Sequence, residues 1–394
     1  MEEGGNTKLR IKYFLSGIVT ACLAAAVIYF LYMYFPFQTA SPGRPDSLGA
    51  QKKVKEIERI IEKYYLGEID QQQQTDYMYL GLVAGLEDKY STYYTKEQYE
   101  ELQKSQEGVY TGIGVTLVQD SEDGRIYVDS CVEDSPAAQA GIREGDCITS
   151  VNGTSTEGMT TSQVVEQISG KNQDTVVLGI VRDGGEEQTV SVEQGMVEMV
   201  SVNSRMLENQ VGYIQITEFT GVTPEQFSEA YESLSGQGME KLVIDLRDNP
   251  GGLVSSVCDT LRQILPEGII VYTEDKNGNR QEERCDGETP IQIPLAVLVN
   301  ENSASASEIF AGAVKDYGIG TLVGETTFGK GIVQDMFQLS DGSVIKLTVS
   351  HYYTPKGNNI NGTGISPDVE VTQSGDGSAD TQLEKAVEVL GENP

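Results

Sequence analysis

Three serines, Ser303, Ser305 and Ser307, alternate with alanine inside VLVNENSASASEIFAGAVKDYG, residues 297–318. A serine placed where a buried strand meets a helix can attack a carbonyl carbon, because the free N–H groups of a helix N-terminus favour developing negative charge. The helix expected to start near residue 305 carries an apolar stripe of Ile309, Phe310, Ala313, Val314 and Tyr317. Ser305 is one turn ahead of Ile309 and in line with the stripe, whereas Ser307 is turned roughly 200° away and Ser303 precedes the turn. The same letters have a plain structural reading. Ser305-x-x-Glu308 is the pattern of a capping box, in which the serine only caps the helix and Glu308 is an acid of its first turn.

A serine nucleophile needs a base, and the candidates are few. The single histidine, His351, lies in SVIKLTVSHYYTP, where alternation places it on a strand face with Ile345, Leu347 and Val349; such a histidine is usually structural. Lys330, in ETTFGKGIVQ, has Gly329 and Gly331 on either side and Phe328, Ile332 and Val333 close by. Desolvation there would lower the ammonium pKa, and a neutral lysine can accept the serine proton. The alternative is a surface lysine in a turn.

These residues need a scaffold. From about residue 200 the chain alternates strand and helix signals. KLVIDLRDNPGG (241–252) and IPLAVLVN (293–300) are continuous apolar runs, as in strands covered on both faces. Residues 108–197 read instead as short strands and turns with two small helices, the second, TTSQVVEQISG, presenting Val164, Val165 and Ile168 on one face. Before them KKVKEIERIIEKYYLGEI, TDYMYLGLVAGLED and TKEQYEELQKS read as helices, the last with Thr95 as cap. They suit a helical arm, a dimerisation surface or packing onto the downstream part of the chain. TQLEKAVEVL closes the chain.

No charge occurs from Tyr13 to Gly43. As a helix, YFLSGIVTACLAAAVIYFLYMYF (13–35) would span roughly 35 Å, enough for a bilayer. Lys8, Arg10 and Lys12 precede it and an aromatic cluster ends it, so the N-terminus is expected in the cytoplasm and the body outside. A cleaved signal peptide is the rival reading, and VTAC (19–22) loosely resembles a lipoprotein box. The net charge of −32 over 394 residues argues against a nucleic-acid partner. The five cysteines, Cys22, Cys131, Cys147, Cys258 and Cys285, form no C-x-x-C pair, so no metal site is expected, and disulfides and free thiols both stay open.

TGIGV followed by DSPAAQAGIREGDCITSVNG resembles a PDZ domain. The resemblance implies that Gly112, Ile113, Gly114 and Val115 receive a peptide's C-terminal carboxylate on backbone N–H groups beside an open sheet edge. Further on, NENSASASEIFAGAVKDYG and VGETTFGKGIVQ, with KLVIDLRDNPGG and HYYTPKGNNINGTGISPDV, resemble the carboxyl-terminal processing peptidases, serine proteases of the Ser/Lys type with an inserted PDZ domain. This implies Ser305 as nucleophile, Lys330 as general base and Gln334 as its orienting partner. Gly251 and Ala306 would supply oxyanion-hole N–H groups, with Asn249 and Pro250 shaping the loop, and no cofactor is needed. Two departures stand out: His351 replaces an arginine common in relatives, and Ser169-Gly170-Lys171 stands where they often have Arg-Gly-Lys.

The implied architecture is an α/β protease core of ClpP/crotonase-like ββα spiral type with an inserted α+β PDZ domain, an N-terminal helical arm and one N-terminal transmembrane helix. Its segments are a cytoplasmic N-terminus (1–12), transmembrane helix (13–35), linker (36–50), helical region (51–107), PDZ domain (108–197), serine protease core (198–371) and a spacer with the closing helix (372–394). The expected function is that of a serine endopeptidase, single-pass in a bacterial cell membrane and acting outside the cytoplasm. It would capture free protein C-termini and cut them, as a homodimer if the terminal helices pair. The rivals are a non-catalytic membrane-anchored PDZ scaffold and a Ser-His protease using His351.

Overall fold

The computed structural model describes residues 45, 47–121, 123–170, 174–373 and 379–392. The expected cytoplasmic segment 1–12, the membrane span 13–35 with Cys22, most of the linker 36–50, Lys171, and residues 374–378 of the spacer lie outside the described residues. Among the described residues no helix is long and apolar enough to cross a membrane.

The chain divides after Leu82 into two units. In the first, helix α1 (Leu48–Tyr64) is capped by the Ser47 side chain, which accepts the Ala50 N–H, and α2 (Gln71–Ala84) runs on into the second unit. The apolar residues Val54, Ile57, Ile60, Ile61 and Tyr64 recur at helical spacing and form a stripe along α1, yet Ile57 and Ile60 are 48% and 53% exposed and no residue of α1 is buried.

The second unit opens with β1 (Thr92–Tyr94) and α3 (Lys96–Glu107). Thr95 caps α3 reciprocally with Gln98, and Gly108 ends it in the left-handed conformation, φ 77°. A small module comes next: β2 (Val109–Gly112), β3 (Val115–Gln119), β4 (Ile126–Cys131), α4 (Pro136–Gln139), β5 (Cys147–Val151), β6 (Thr154–Ser155), α5 (Thr161–Ile168), β7 (Thr175–Val181), β8 (Glu187–Glu193) and β9 (Gly195–Glu198). Its main sheet has the order β3-β4-β5-β7-β8 with β6 on β5, while β2 pairs with β9 where the module leaves and rejoins the larger domain. Val164 and Ile168 of α5 are buried in its core with Ile148 and Leu178. Val165, expected beside them, is 44% exposed. Positions 164 and 168 are one turn apart, whereas 165 is rotated about 100° from 164.

The larger domain holds β10 (Val202–Met206), a short 3-10 turn, β11 (Val211–Ile216), α6 (Thr223–Gly236), β12 (Lys241–Asp245), α7 (Val254–Arg262), β13 (Gly268–Asp275), β14 (Arg280–Cys285), β15 (Leu295–Val299), α8 (Ala306–Tyr317), β16 (Thr321–Gly324), β17 (Ile332–Gln338), β18 (Val344–Tyr353), β19 (Val369–Glu370) and α9 (Thr381–Glu392). One sheet has the order β10-β11-β12-β15-β16-β19, and every pair but β10/β11 is parallel. Both faces are buried, which explains the unbroken apolar runs. Leu242, Ile244, Val297 and Val299 meet Phe227, Leu261 and Phe310 on one side, and Val243, Ala296 and Leu298 meet Ala386 and Leu390 of α9 on the other. The second sheet is built on β18, which takes β17 along one edge and β1 and then β13 along the other. Cys131, Cys147, Cys258 and Cys285 are all free thiols.

Candidate active site

The three alternating serines have three different fates. Ser303, fully buried, donates its hydroxyl to Leu246 O at 2.7 Å and accepts the Asn300 N–H at 2.9 Å. Ser307, also fully buried, donates to Asn249 O at 3.0 Å, the carbonyl that also takes the Ala304 N–H. These two tie the β15–α8 turn to the loop after β12. Ser305 lies between them with φ 54° and ψ −112°, a conformation that costs a non-glycine residue about 1–3 kcal/mol. Its N–H donates to Glu308 Oε2 at 2.9 Å, and its carbonyl accepts the Tyr352 hydroxyl at 3.0 Å. Its own hydroxyl makes no capping hydrogen bond. The glutamate half of the capping pattern is thus present, while the serine side chain is left to face a cavity.

That cavity, about 490 Å³, is lined by Ser305, Lys330, Gln334, Lys346 and Tyr352, with Phe219, Leu253 and Ile309 among its apolar walls. Lys330 reaches it from the β16–β17 loop. A Cβ on Gly329 would come within 2.9 Å of Gly364 N, and one on Gly331 within 2.6 Å of Asn361 N, so the loop lies directly on the 357–365 segment as only glycine allows. The Lys330 ammonium stands over the Tyr90 ring, 4.8 Å from its centroid, and has no carboxylate at ion-pair distance among the described residues. Burial pushes its pKa below the ordinary lysine value. Repulsion from Lys346 and, more weakly, Lys89 acts the same way, against the attraction of Glu308.

Glu308 links the Ser305 turn to the Lys330 loop. Fully buried, it accepts the Ser305 N–H and the Lys330 N–H (2.8 Å) on one oxygen, and the Thr327 hydroxyl (2.6 Å) and the Gly329 N–H (2.7 Å) on the other. The sequence pattern showed only a first-turn acid, because the 22-residue step from Glu308 to Lys330 has no local periodicity. Tyr352 and Lys346 were also missed; neighbouring His351, singled out instead, is exposed on β18 beside Glu274 and does not line the cavity. Its face of the strand turns outward while Tyr352 turns in. His351 is therefore not placed to serve Ser305.

Ala306, expected in the oxyanion hole, begins α8, and its N–H has no intrahelical acceptor. The Gly251 N–H donates to Asn249 Oδ1 at 2.8 Å, and the Asn249 amide in turn donates to Ile216 O at 2.9 Å. Gly251 has φ 110°, and a Cβ there would meet Ser305 Cβ at 2.8 Å and Ala306 N at 2.9 Å. Its backbone therefore lies against Ser305, with its N–H engaged by Asn249. Gln334 lines the cavity and donates to Thr348 Oγ1 at 3.3 Å. No hydrogen bond joins Ser305, Lys330 and Gln334 side chains in this conformation; such bonds commonly tighten only with substrate in place. Among the described residues no cluster of His, Cys, Asp or Glu could hold a metal ion.

In the small module, the Ile113 carbonyl accepts the Ala137 N–H and the Gly114 carbonyl accepts the Val132 N–H, while Gly114 has φ 82°. The next strand, β3, is an edge strand with one side unpaired. Gly112 pairs with Gly195 across β2/β9, and Val115 pairs with Cys131 on the inner side of β3.

Residues 210–371 match peptidase family S41 and residues 101–181 match the PDZ domain. The chain is 34% identical over 364 residues to the carboxy-terminal processing protease CtpA of Bacillus subtilis, covering 92% of this chain and 78% of that one. It is 33% identical over 319 residues to the carboxyl-terminal-processing protease of Synechocystis sp., covering 80% and 75%. A crystal structure of a Bacteroides fragilis protein assigned to the S41 proteases shares the fold, with TM-score 0.52 and 17% identity over 83% of this chain and 92% of that one. Fold and site together define a serine-type hydrolase of peptide bonds with a PDZ module. The chain belongs to peptidase family S41, among the carboxyl-terminal processing peptidases.

Proposed function

We propose that this peptidase cuts protein chains near their free C-termini, with Ser305 as nucleophile and Lys330 as general base. One observation carries the reading. Ser305 is the strained serine whose hydroxyl makes no capping bond, and it shares a cavity with a half-buried lysine that has no carboxylate at ion-pair distance among the described residues. The neutral Lys330 amine takes the Ser305 proton as Oγ attacks the scissile carbonyl carbon. The oxyanion forms at the α8 N-terminus, against the Ala306 N–H and, once Asn249 releases it, the Gly251 N–H. The lysine ammonium then protonates the leaving amine, and water hydrolyses the acyl-enzyme by the same proton relay. Gln334 restrains the amine.

The PDZ module, through Gly112, Ile113, Gly114 and Val115, holds the substrate's terminal carboxylate while its tail adds to β3 as an extra strand. Support comes from the unpaired β3 edge and from α3, which lines the cavity at Leu102 and Gln106 and leads straight into the module. We place the protein at a bacterial membrane, anchored by residues 13–35 with its body outside the cytoplasm. We further read the core as a ClpP/crotonase-like spiral, and the chain as a homodimer formed through its uncovered helical stripe. The test is hydrolysis of an unfolded casein-type substrate by wild type, Ser305→Ala and Lys330→Ala. Loss in both variants supports the dyad; equal turnover in all three, or none in any, favours a scaffold.

A further inference from the structure

A protein of net charge −32 places two lysines, Lys330 and Lys346, in one cavity with Ser305, and a third, Lys89, near Lys330, and among the described residues none of the three has a carboxylate at ion-pair distance. Lys346 lies on β18 and is half-buried, and it lines the same cavity as Lys330. Two ammonium groups in one cavity of low polarisability repel each other, and the repulsion is relieved when one of them gives up its proton.

Which lysine yields depends on its surroundings. Lys346 donates to the Tyr94 hydroxyl at 3.1 Å, stands 5.5 Å from the Tyr94 ring centroid, and attracts Asp88, whose carboxyl is held below its ordinary pKa, against burial, chiefly by hydrogen bonds from Ser91, Thr348 and the Tyr90 N–H and least by Lys346. Asp88 is itself fixed beside β18, since its carboxylate takes the Ser91 hydroxyl at 2.6 Å and Ser91 Oγ accepts the Thr348 N–H at 3.1 Å. Lys330 has the Tyr90 face and the Glu308 carboxylate, whose four hydrogen-bond donors are all uncharged. Among the described residues, the other charged or titratable groups around it are Lys89, which also stands over the Tyr90 ring, and Glu218, Asp335 and Tyr352 on the cavity wall. Charge is thus better compensated at 346 than at 330.

We propose that Lys346 is a positioning residue for the base: as a second ammonium in the same cavity it disfavours the charged form of Lys330, and so holds Lys330 in the proton-accepting form. This rests on the reading of Lys330 as general base. Burial alone would lower the affinity of Lys330 for a proton, and the second cation deepens the effect where a counter-ion would reverse it.

The experiment is the pH profile of kcat/KM for the full chain on an unfolded protein substrate, in wild type, Lys346→Met, Lys346→Arg and Lys330→Met. The expected result is that Lys346→Met moves the acid limb to higher pH and leaves the alkaline plateau in place. On the limb, activity falls about tenfold for each unit of displacement. Lys346→Arg returns the limb to its wild-type position. A Lys346→Met profile lowered by one factor at every pH, or an unmoved limb, overturns the inference, since a packing or substrate contact would behave so. Lys330→Met separates the two readings: if it keeps its activity the base assignment fails, and if it is inactive while the Lys346→Met limb stays put, only the role of Lys346 fails.

Discussion

The Glu308 carboxylate accepts the backbone N–H of Ser305 at 2.9 Å and that of Lys330 at 2.8 Å through the same oxygen. One buried side chain therefore sets the separation of the Ser305 turn from the Lys330 loop. Glutamine in its place would turn its NH2 group toward two of the four donors, whichever way the amide is flipped. Glu308→Gln is expected to lower kcat/KM by roughly 10²-fold through misplacement, with a smaller loss of denaturant midpoint. Unchanged kinetics would show that the two segments hold their spacing without it.

The three serines should respond differently to alanine. Ser303→Ala and Ser307→Ala each leave a buried carbonyl short of a donor and should cost about 1–3 kcal/mol of stability, with turnover retained in the folded fraction. Ser305→Ala removes a hydroxyl that makes no capping bond, so its melting temperature should hold while hydrolysis drops to background. Calorimetry beside a turnover assay checks all three.

Activity should rise with pH. As the proposed base, Lys330 must be neutral to act, and burial and Lys346 hold it below the ordinary lysine value, so the acid limb should lie below about pH 10.4. The same shift fixes the sign for stability. Between the native pKa and the ordinary one, the unfolded chain holds a proton that the folded chain has lost. Stability therefore rises with pH across that window, and the penalty for the buried charge is fully present below it. Lys330→Met should melt above wild type at neutral pH, with the gap closing toward pH 10 and beyond. A constant gap would mean that packing, not charge, is responsible.

Arg247 holds the closing helix to the catalytic sheet. It pairs with Asp245, which is 1% exposed, and with both oxygens of Asp380, at 2.7 and 2.8 Å, just before α9. Arg247→Met leaves the Asp245 carboxylate without its cation and should cost about 3–5 kcal/mol. Hydrogen exchange should locate the loosening in residues 381–392.

Gly114 has φ 82°, and a Cβ there would come within 2.3 Å of Ser135 Cβ. Gly114→Ala should distort the loop and weaken binding of a peptide with a free C-terminus, as should amidation of that peptide. Calorimetric titration reads both. Full binding by the variant would move the carboxylate site elsewhere in the module.

Much of this was legible in one dimension. A strand buried on both faces announces itself by an unbroken apolar run, as in Leu295–Val299, and a cap by its residue types, as at Thr95. The glycines beside Lys330 marked a close backbone approach before the 357–365 segment was known to be what approaches. Periodicity misjudged Val165, because a face predicted to be apolar still ends at a rim that neighbouring elements define.

The order of elements, the serine segment and the glycine-flanked lysine follow from the sequence by itself, since local sterics and the burial of apolar side chains act over a few residues at a time. Which of three like hydroxyls makes no capping bond, that Asn249 engages the Gly251 N–H, that Glu308 reaches both the Ser305 turn and the Lys330 loop, and that Lys346 shares a cavity with Lys330 were decided only when distant strands and loops packed. Hydrogen bonding and charge repulsion depend on distance through space, and spacing along the chain does not encode it.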